Sequence, residues 1–441
     1  MRGCKGGRID GLIRYLEGGV SPFHTVDMAA EEFAQAGYRE LELSGSWMLE
    51  RGRGYYVRAY GSSLFAFRVN PGFGRLQGFR VAAAHTDWPC LRVKAAPDMA
   101  QGAYAKLNVE IYGGPILNTW LDRPLSAAGR VTLSGEDCFS PVTRLVDFKR
   151  PVCTVPNLAI HMNRDVNKGI ELNRQKDMAP LVGRILEEGS GGRDGFVRAL
   201  AAEAGVAPEE ILYFELSLYN CDRPELFGLD REFLSSPRLD NLTSVKACVD
   251  GLLEGDSREI GVDMAVLFDH EEVGSRTKQG AGSVLLPIVM EKICRSFGYS
   301  DEDCLNSRLR SFLLSVDVAH GLHPNQPEKS DVTNPVFLGD GVAIKTESCQ
   351  KYATDGEAIG VIREICRANG IPCRIFAGRS DVTGGSTLGS IASSFTVMDT
   401  VDLGVPILAM HSARETMAAA DQEALAGLLA AYYRMSGERR R

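Results

Sequence analysis

The spacing of apolar residues changes several times along the chain, and each change marks a different kind of element. In HTVDMAAEEFAQAGY, Val26, Ala29, Ala30 and Phe33 recur at helical spacing, and Gly37 offers a C-terminal stop. Residues 1–50 therefore read as mainly helical. YYVRAY, SLFAFRV and GFRVAAAH then predict a series of strands between residues 54 and 85. From about Asp98 the pattern becomes one of alternation. KLNVEIYGG puts Leu107, Val109 and Ile111 on one face, and GRVTLSG behaves alike. ILYFELSLY alternates Leu212, Phe214, Leu216 and Leu218 with Tyr213, Glu215 and Ser217. These are half-buried strands of a β-rich unit. A helix is expected at 177–188 and a glycine-rich loop at 189–195.

Around Ser235 strands and helices alternate again. SSPRLDNLTSVKACVDGLL predicts a loop feeding a helix whose apolar face is Leu242, Val245, Val249 and Leu252. MAVLFDHEEVGS is a short apolar strand that turns abruptly acidic. A helix follows from about Leu285, then SFLLSVDVAHGLHPN, a strand ending at Asp317. DGEAIGVIREICRANG is an amphipathic helix stopped by Gly370, PCRIFAGRSDVTGGSTLGS a strand followed by a glycine-rich loop, and TVDLGVPILAMHS a strand ending at His411. The last helix is DQEALAGLLAAYYRM. The fold class is α/β: one domain formed by residues 1–95 and 232–441, interrupted by a β-rich domain at 96–231.

Length and charge narrow the function. A chain of 441 residues supports a large core and more than one domain. Its net charge of −8 speaks against a nucleic-acid partner. No run approaches the ~20 apolar residues of a membrane span, and MRGCKGGRID has no secretory h-region. Eleven cysteines without a CxxC pair predict reduced, buried thiols and a cytoplasmic protein. GGSTLG lacks the Gly-Lys-Ser/Thr of a phosphate loop, and GAGS lacks the dinucleotide fingerprint.

The acidic turn after MAVLF carries the chemistry. Glu271 and Glu272 leave a buried strand together, which is costly unless something offsets their charge. A metal does so and separates their tasks: one carboxylate ligates while the other moves protons for water. Four predicted strands end in a ligand type, at His85, Glu272, Asp317 and His411, and Asp240 opens a helix in the same α/β portion. Open α/β sheets place ligands beyond such strand ends. Two histidines and three carboxylates can build a dinuclear site with one carboxylate bridging, a mixture zinc accepts. Asp87 stands where it could hold the second ring nitrogen of His85.

Nine ordered segments span nearly the whole chain: SPFHTV, AAHTDWPCLRVK, NLAIHMNRDVN, RLDNLTS, FDHEEVGS, SVDVAHGLHPN, IKTESCQKYATD, RSDVTGGSTLGS and AMHSARET. With these motifs the chain resembles the aspartyl aminopeptidases, the eighteenth metallopeptidase family, in its bacterial branch. The resemblance implies a zinc-peptidase catalytic domain with an inserted dimerisation domain, and dimers that assemble into a dodecamer. It implies two Zn2+ per subunit, with Co2+ or Mn2+ as substitutes. Asp240 would bridge them, His85 and Asp317 would complete one shell, and Glu272 and His411 the other. Glu271 would be the general base, and His161, His320, Lys345 and Tyr352 would contact a peptide substrate with an acidic N-terminal residue. His161 would reach the neighbouring subunit's site. The bond between Asp240 and Asn241 would be cis. Ser330 stands where the family usually has a histidine, and Gly321 and Leu322 where many members have Ala and Val. Two rival readings are an amidohydrolase or N-deacylase on the same scaffold, and a non-catalytic protein with a decayed site.

Overall fold

The computed structural model describes residues 7–75, 77–169, 171–185, 195–255, 258–382 and 384–437. It divides into two compact units. The first is Met1–Asp87, Pro224–Met410 and Glu415–Arg441; the second is Trp88–Arg223 with His411–Arg414.

The first unit opens with helices α1 (Arg8–Gly18) and α2 (Pro22–Gln35). Proline at the first helical position and the Ser21 side chain, which accepts the His24 N–H, start α2. Gly37, at φ +85°, ends it as the sequence predicts. Strands β1 (Arg39–Glu40), β2 (Arg53–Ala59), β3 (Ser63–Val69) and β4 (Phe79–His85) follow.

The second unit contains β5 (Cys90–Gln101), β6 (Tyr104–Tyr112), β7 (Leu125–Leu133), β8 (Val142–Asp147), β9 (Leu181–Arg184), α3 (Gly195–Ala204) and β10 (Ile211–Asn220). Among the described residues these strands form one antiparallel sheet in the order β8-β7-β10-β5-β6-β9. On β10, Phe214, Leu216 and Leu218 are buried while Leu212 and Tyr213 are exposed. The second unit begins at Trp88 and holds the whole of β5, within which the expected boundary at 95/96 falls. The helix expected at 177–188 is not formed at 181–184, where β9 pairs with β6. Pro180 interrupts helical hydrogen bonding there, and its carbonyl accepts the Leu107 N–H at 2.9 Å. Residues 186–194, with most of the glycine-rich loop, lie outside the described residues, as do 438–441 of the basic tail.

The chain then returns to the first unit with β11 (Glu225–Phe227), β12 (Phe233–Ser236), α4 (Leu239–Glu254), β13 (Val262–Phe268), α5 (Leu285–Ser296), α6 (Asp301–Leu309), β14 (Phe312–Val316), β15 (Ala319–His320), β16 (Val342–Thr346), α7 (Gly356–Asn369), β17 (Cys373–Ala377), α8 (Leu388–Thr396), β18 (Asp399–Gly404), β19 (Pro406–Leu408), β20 (Glu415–Ala418) and α9 (Ala419–Arg434). The main sheet runs β1-β2-β3-β13-β4-β14-β18-β16-β17. Its centre, β13-β4-β14-β18, is parallel throughout. Every residue of β13 and β14 is buried, as expected for parallel strands covered on both faces. The parallel arrangement brings the C-terminal ends of β4, β13 and β14 to one edge. On α4, Leu242, Val245, Val249 and Leu252 are fully buried, and the helix packs against α9 and β4.

Three expectations are corrected. The strand expected to end at His411 breaks into β18 and β19, and β19 stops at Leu408. Helix α8 takes in the end of the expected glycine-rich loop, residues 388–390, and runs on to Thr396. Cys138 and Cys349 are exposed rather than buried.

Candidate active site and metal centre

Four elements of the first unit converge on one cluster. His85 is the last residue of β4, in register with Phe268 of β13. Beyond β13 the chain turns through His270, at φ +62°, into a single helical turn, Glu271–Val273. Asp240 stands at the start of α4, where the backbone is not yet helical and the Asp240–Asn241 peptide is cis. Asp317 directly follows β14.

The His85 Nε2 lies 3.5 Å from an Asp240 oxygen and 3.6 Å from an Asp317 oxygen. Ligand atoms of His85, Asp240 and Glu272 all lie within 4.8 Å of one another. The other ring nitrogen of His85 is 3.0 Å from the Asp87 carbonyl oxygen and 3.3 Å from its carboxylate. Both Asp87 acceptors thus favour a proton on Nδ1, leaving Nε2 for a metal. The Asp87 carboxylate has a second task. It accepts the backbone N–H groups of Glu271 at 3.1 Å and Glu272 at 3.2 Å, holding the turn that carries the acid pair.

Charge is crowded here. Burial, then the carboxylates of Asp317, Asp87 and Asp240, push the Glu271 carboxyl up to about 8, against the pull of His85. Burial and Asp240 raise Glu272 as well. Burial alone would lower the His85 imidazole, but Asp317, Asp87 and Glu271 outweigh it and raise it well above its ordinary value. Asp317 is held below the usual carboxylate range because Lys345 and His85 overcome its burial. A buried imidazole among carboxylates is a donor set that zinc takes. A divalent cation would satisfy carboxylates that burial otherwise drives toward protonation, so the residues present fit the metal.

Beside Asp317 a cavity of about 1120 Å³ opens, with His320, Tyr352 and Ser330 in its lining. Lys345 is buried next to it. Its Nζ lies 3.4 Å from an Asp317 oxygen, 3.1 Å from the Val318 carbonyl and 5.2 Å from the centre of the Tyr352 ring. Two expected site residues belong to the second unit. His161 is exposed in a turn closed by the Met162 N–H to the Ala159 carbonyl. The His411 Nδ1 lies 3.1 Å from the Gly114 carbonyl oxygen.

Sequence reasoning passed over Glu415. It is 2% exposed, and its carboxylate accepts the Asp240 N–H at 3.0 Å. The signal was an acid opening the apolar strand ETMA.

The family model described as aminopeptidase I zinc metalloprotease (M18) matches residues 15–433. A protein of Clostridium acetobutylicum named "probable M18 family aminopeptidase 2" is 42% identical over 405 residues, covering 92% of this chain and 93% of its own. A protein of the same name from Pseudomonas aeruginosa is 38% identical over 428 residues, 97% of this chain and 98% of its own. Among solved structures, one from the Ape4–Nbr1 complex superposes with a TM-score of 0.93 at 32% identity, over 97% of this chain and 85% of that chain. The S. cerevisiae mApe1 dodecamer gives 0.83 at 25% identity, over 97% of this chain and 96% of that chain. Matched over most of its length by both the family model and these relatives, the chain belongs to the M18 family of zinc aminopeptidases.

Proposed function

We propose that this aminopeptidase carries two zinc ions per subunit and removes acidic N-terminal residues from peptides. The observation that carries the reading is the convergence of buried His85 and Asp240 with half-buried Glu272 and Asp317, with Glu271 next to Glu272. Asp240, His85, Asp317, Glu272 and His411 would hold the ions. When bound, zinc supplies Lewis acidity at the scissile carbonyl and acidifies water. Glu271 accepts the proton of the attacking water and returns it to the leaving amine. Asp87 keeps Glu271 and Glu272 at fixed spacing through their backbone. The substrate's N-terminal side chain enters the cavity beside Asp317, where His320, Tyr352 and the Lys345 charge favour a carboxylate.

The chain would work as a homo-oligomer. Leu158, Ile160 and Met162, on both sides of His161 in sequence, are exposed, which suits an interface between subunits. In a dimer His161 would donate to the oxyanion of the partner's site. The related mApe1 is a dodecamer, and dimers of this chain would build the same assembly.

The test is a panel of peptides differing in their first residue, assayed with zinc, cobalt and manganese, each peptide with a free and an acetylated N-terminus. The expected result is fastest cleavage of free Asp and Glu termini. Efficient cleavage of acetylated peptides would instead favour an N-deacylase.

A further inference from the structure

We propose that Asp402 is a positioning residue of the substrate cavity, fixing Tyr352 through three hydrogen bonds behind the cavity wall. The proposal rests on the cavity beside Asp317 being the substrate site.

Asp402 lies in β18, opposite Ser315 of β14, and is fully buried. A buried carboxylate needs partners. The Ala353 N–H donates to Oδ2 at 2.6 Å, and the Thr387 hydroxyl donates to Oδ1. The Asp402 N–H donates in turn to the Thr354 hydroxyl at 2.9 Å. Ala353 sits between Tyr352 and Thr354, and both of these line the cavity. Thr387 precedes α8, so the carboxylate also faces the positive end of that helix. Gly389 permits this approach: a Cβ there would come within 2.7 Å of Oδ1 and 2.6 Å of the Ser315 Cβ. The Thr387 N–H reaches the Lys351 carbonyl at 3.4 Å, so the segments around Tyr352 and Thr387 are joined to each other as well as to Asp402. Tyr352 in turn stands over Lys345, whose ammonium contacts Asp317. The three bonds made by Asp402 itself involve neither a proposed ligand nor Glu271. Loosening them shifts the side wall of the cavity and leaves the hydrolytic groups where they are.

In Asp402→Asn the amide oxygen would keep the Ala353 N–H and the amide N–H would donate to the Thr387 hydroxyl, so the bonds are removed only by a side chain without polar atoms. The metal-loaded enzyme is compared with Asp402→Ala, Thr387→Val and Thr387→Ser. Two readouts are taken: hydrogen exchange of the peptide covering 351–354, and kinetics on peptides beginning with Asp or Leu. Asp402→Ala should speed exchange and raise KM for the Asp peptide about tenfold, with kcat within about threefold. Thr387→Val should do the same to a lesser degree, and Thr387→Ser, which keeps the hydroxyl, should match the wild type. If Asp402→Ala does not fold, the two Thr387 variants decide. Unchanged exchange in Thr387→Val, equal effects of Val and Ser, or a fall in kcat at constant KM overturns the proposal while wild-type activity stands. A wild-type enzyme without activity toward any N-terminus overturns the reading of the cavity, and this role for Asp402 with it.

Discussion

At the scale of single residues, two neighbouring glutamates stand in different surroundings. Glu272 offers an oxygen to the group formed with His85 and Asp240, while Glu271 stands outside that group. Glu271→Gln should therefore retain metal and lose kcat by at least about a hundredfold. Glu272→Gln should lose metal. Metal content and kcat measured on both variants check this, and the reverse pattern would exchange their roles. The crowded charge also sets a pH dependence. Glu271 holds its proton more tightly in the folded state, with its carboxyl raised from 4.5 to about 8. In the metal-free protein that contribution to stability is complete below about pH 4.5 and is lost as pH rises toward 8. His85, also raised, acts in the same direction. Bound metal removes the need for these protons. The difference in Tm between zinc-loaded and chelated protein should thus widen from pH 5.5 to 8.5. A constant difference would mean that the cluster is not protonated when empty.

At the scale of elements, the site is built from the ends of strands. β4, β13 and β14 run parallel, so His85, the Glu271–Glu272 turn and Asp317 meet at one edge without long side chains reaching across. Asp240 comes from a helix start instead, and its backbone is anchored by Glu415 at the start of β20. Groups that orient a ligand typically change metal affinity by about 10–100-fold when removed. Glu415→Ala should weaken zinc binding by about tenfold in a chelator competition, whereas Glu415→Gln, which keeps an acceptor oxygen, should stay near the wild type. Equal affinity in all three proteins would make the Asp240–Glu415 contact incidental.

At the scale of the whole molecule, the chain builds two units, and the second interrupts the first in sequence. His161 lies in the second unit, apart in sequence from Glu271. If His161 serves the partner's site, two inactive variants should complement each other. His161→Ala and Glu271→Ala, dissociated, mixed and reassociated, should regain activity. In a mixed dimer one site combines Glu271 of the first variant with His161 of the second. Mixed dimers that form but stay inactive would confine His161 to its own subunit or remove it from catalysis.

Periodicity alone determined much of this protein. Alternation in ILYFELSLY and the 3.6-residue repeat of Leu242, Val245, Val249 and Leu252 are local properties, and the structure keeps both, although Leu212 at the start of β10 is exposed. The strand ends at His85 and Asp317 were legible for the same reason: an apolar run must stop before a charged ligand. Segments with weak local signals were not legible. β9 pairs with β6, and the first turn of α8 lies against Ser315 and Asp402. β6 and Ser315 are more than 60 positions away in sequence. Nor could spacing reveal that Lys345 rests on Asp317, that Asp87 holds the acid pair by its backbone, or that Glu415 anchors Asp240. Those contacts join residues up to 185 positions apart in the chain. Their energy depends on burial and distance, which only the folded sheet supplies.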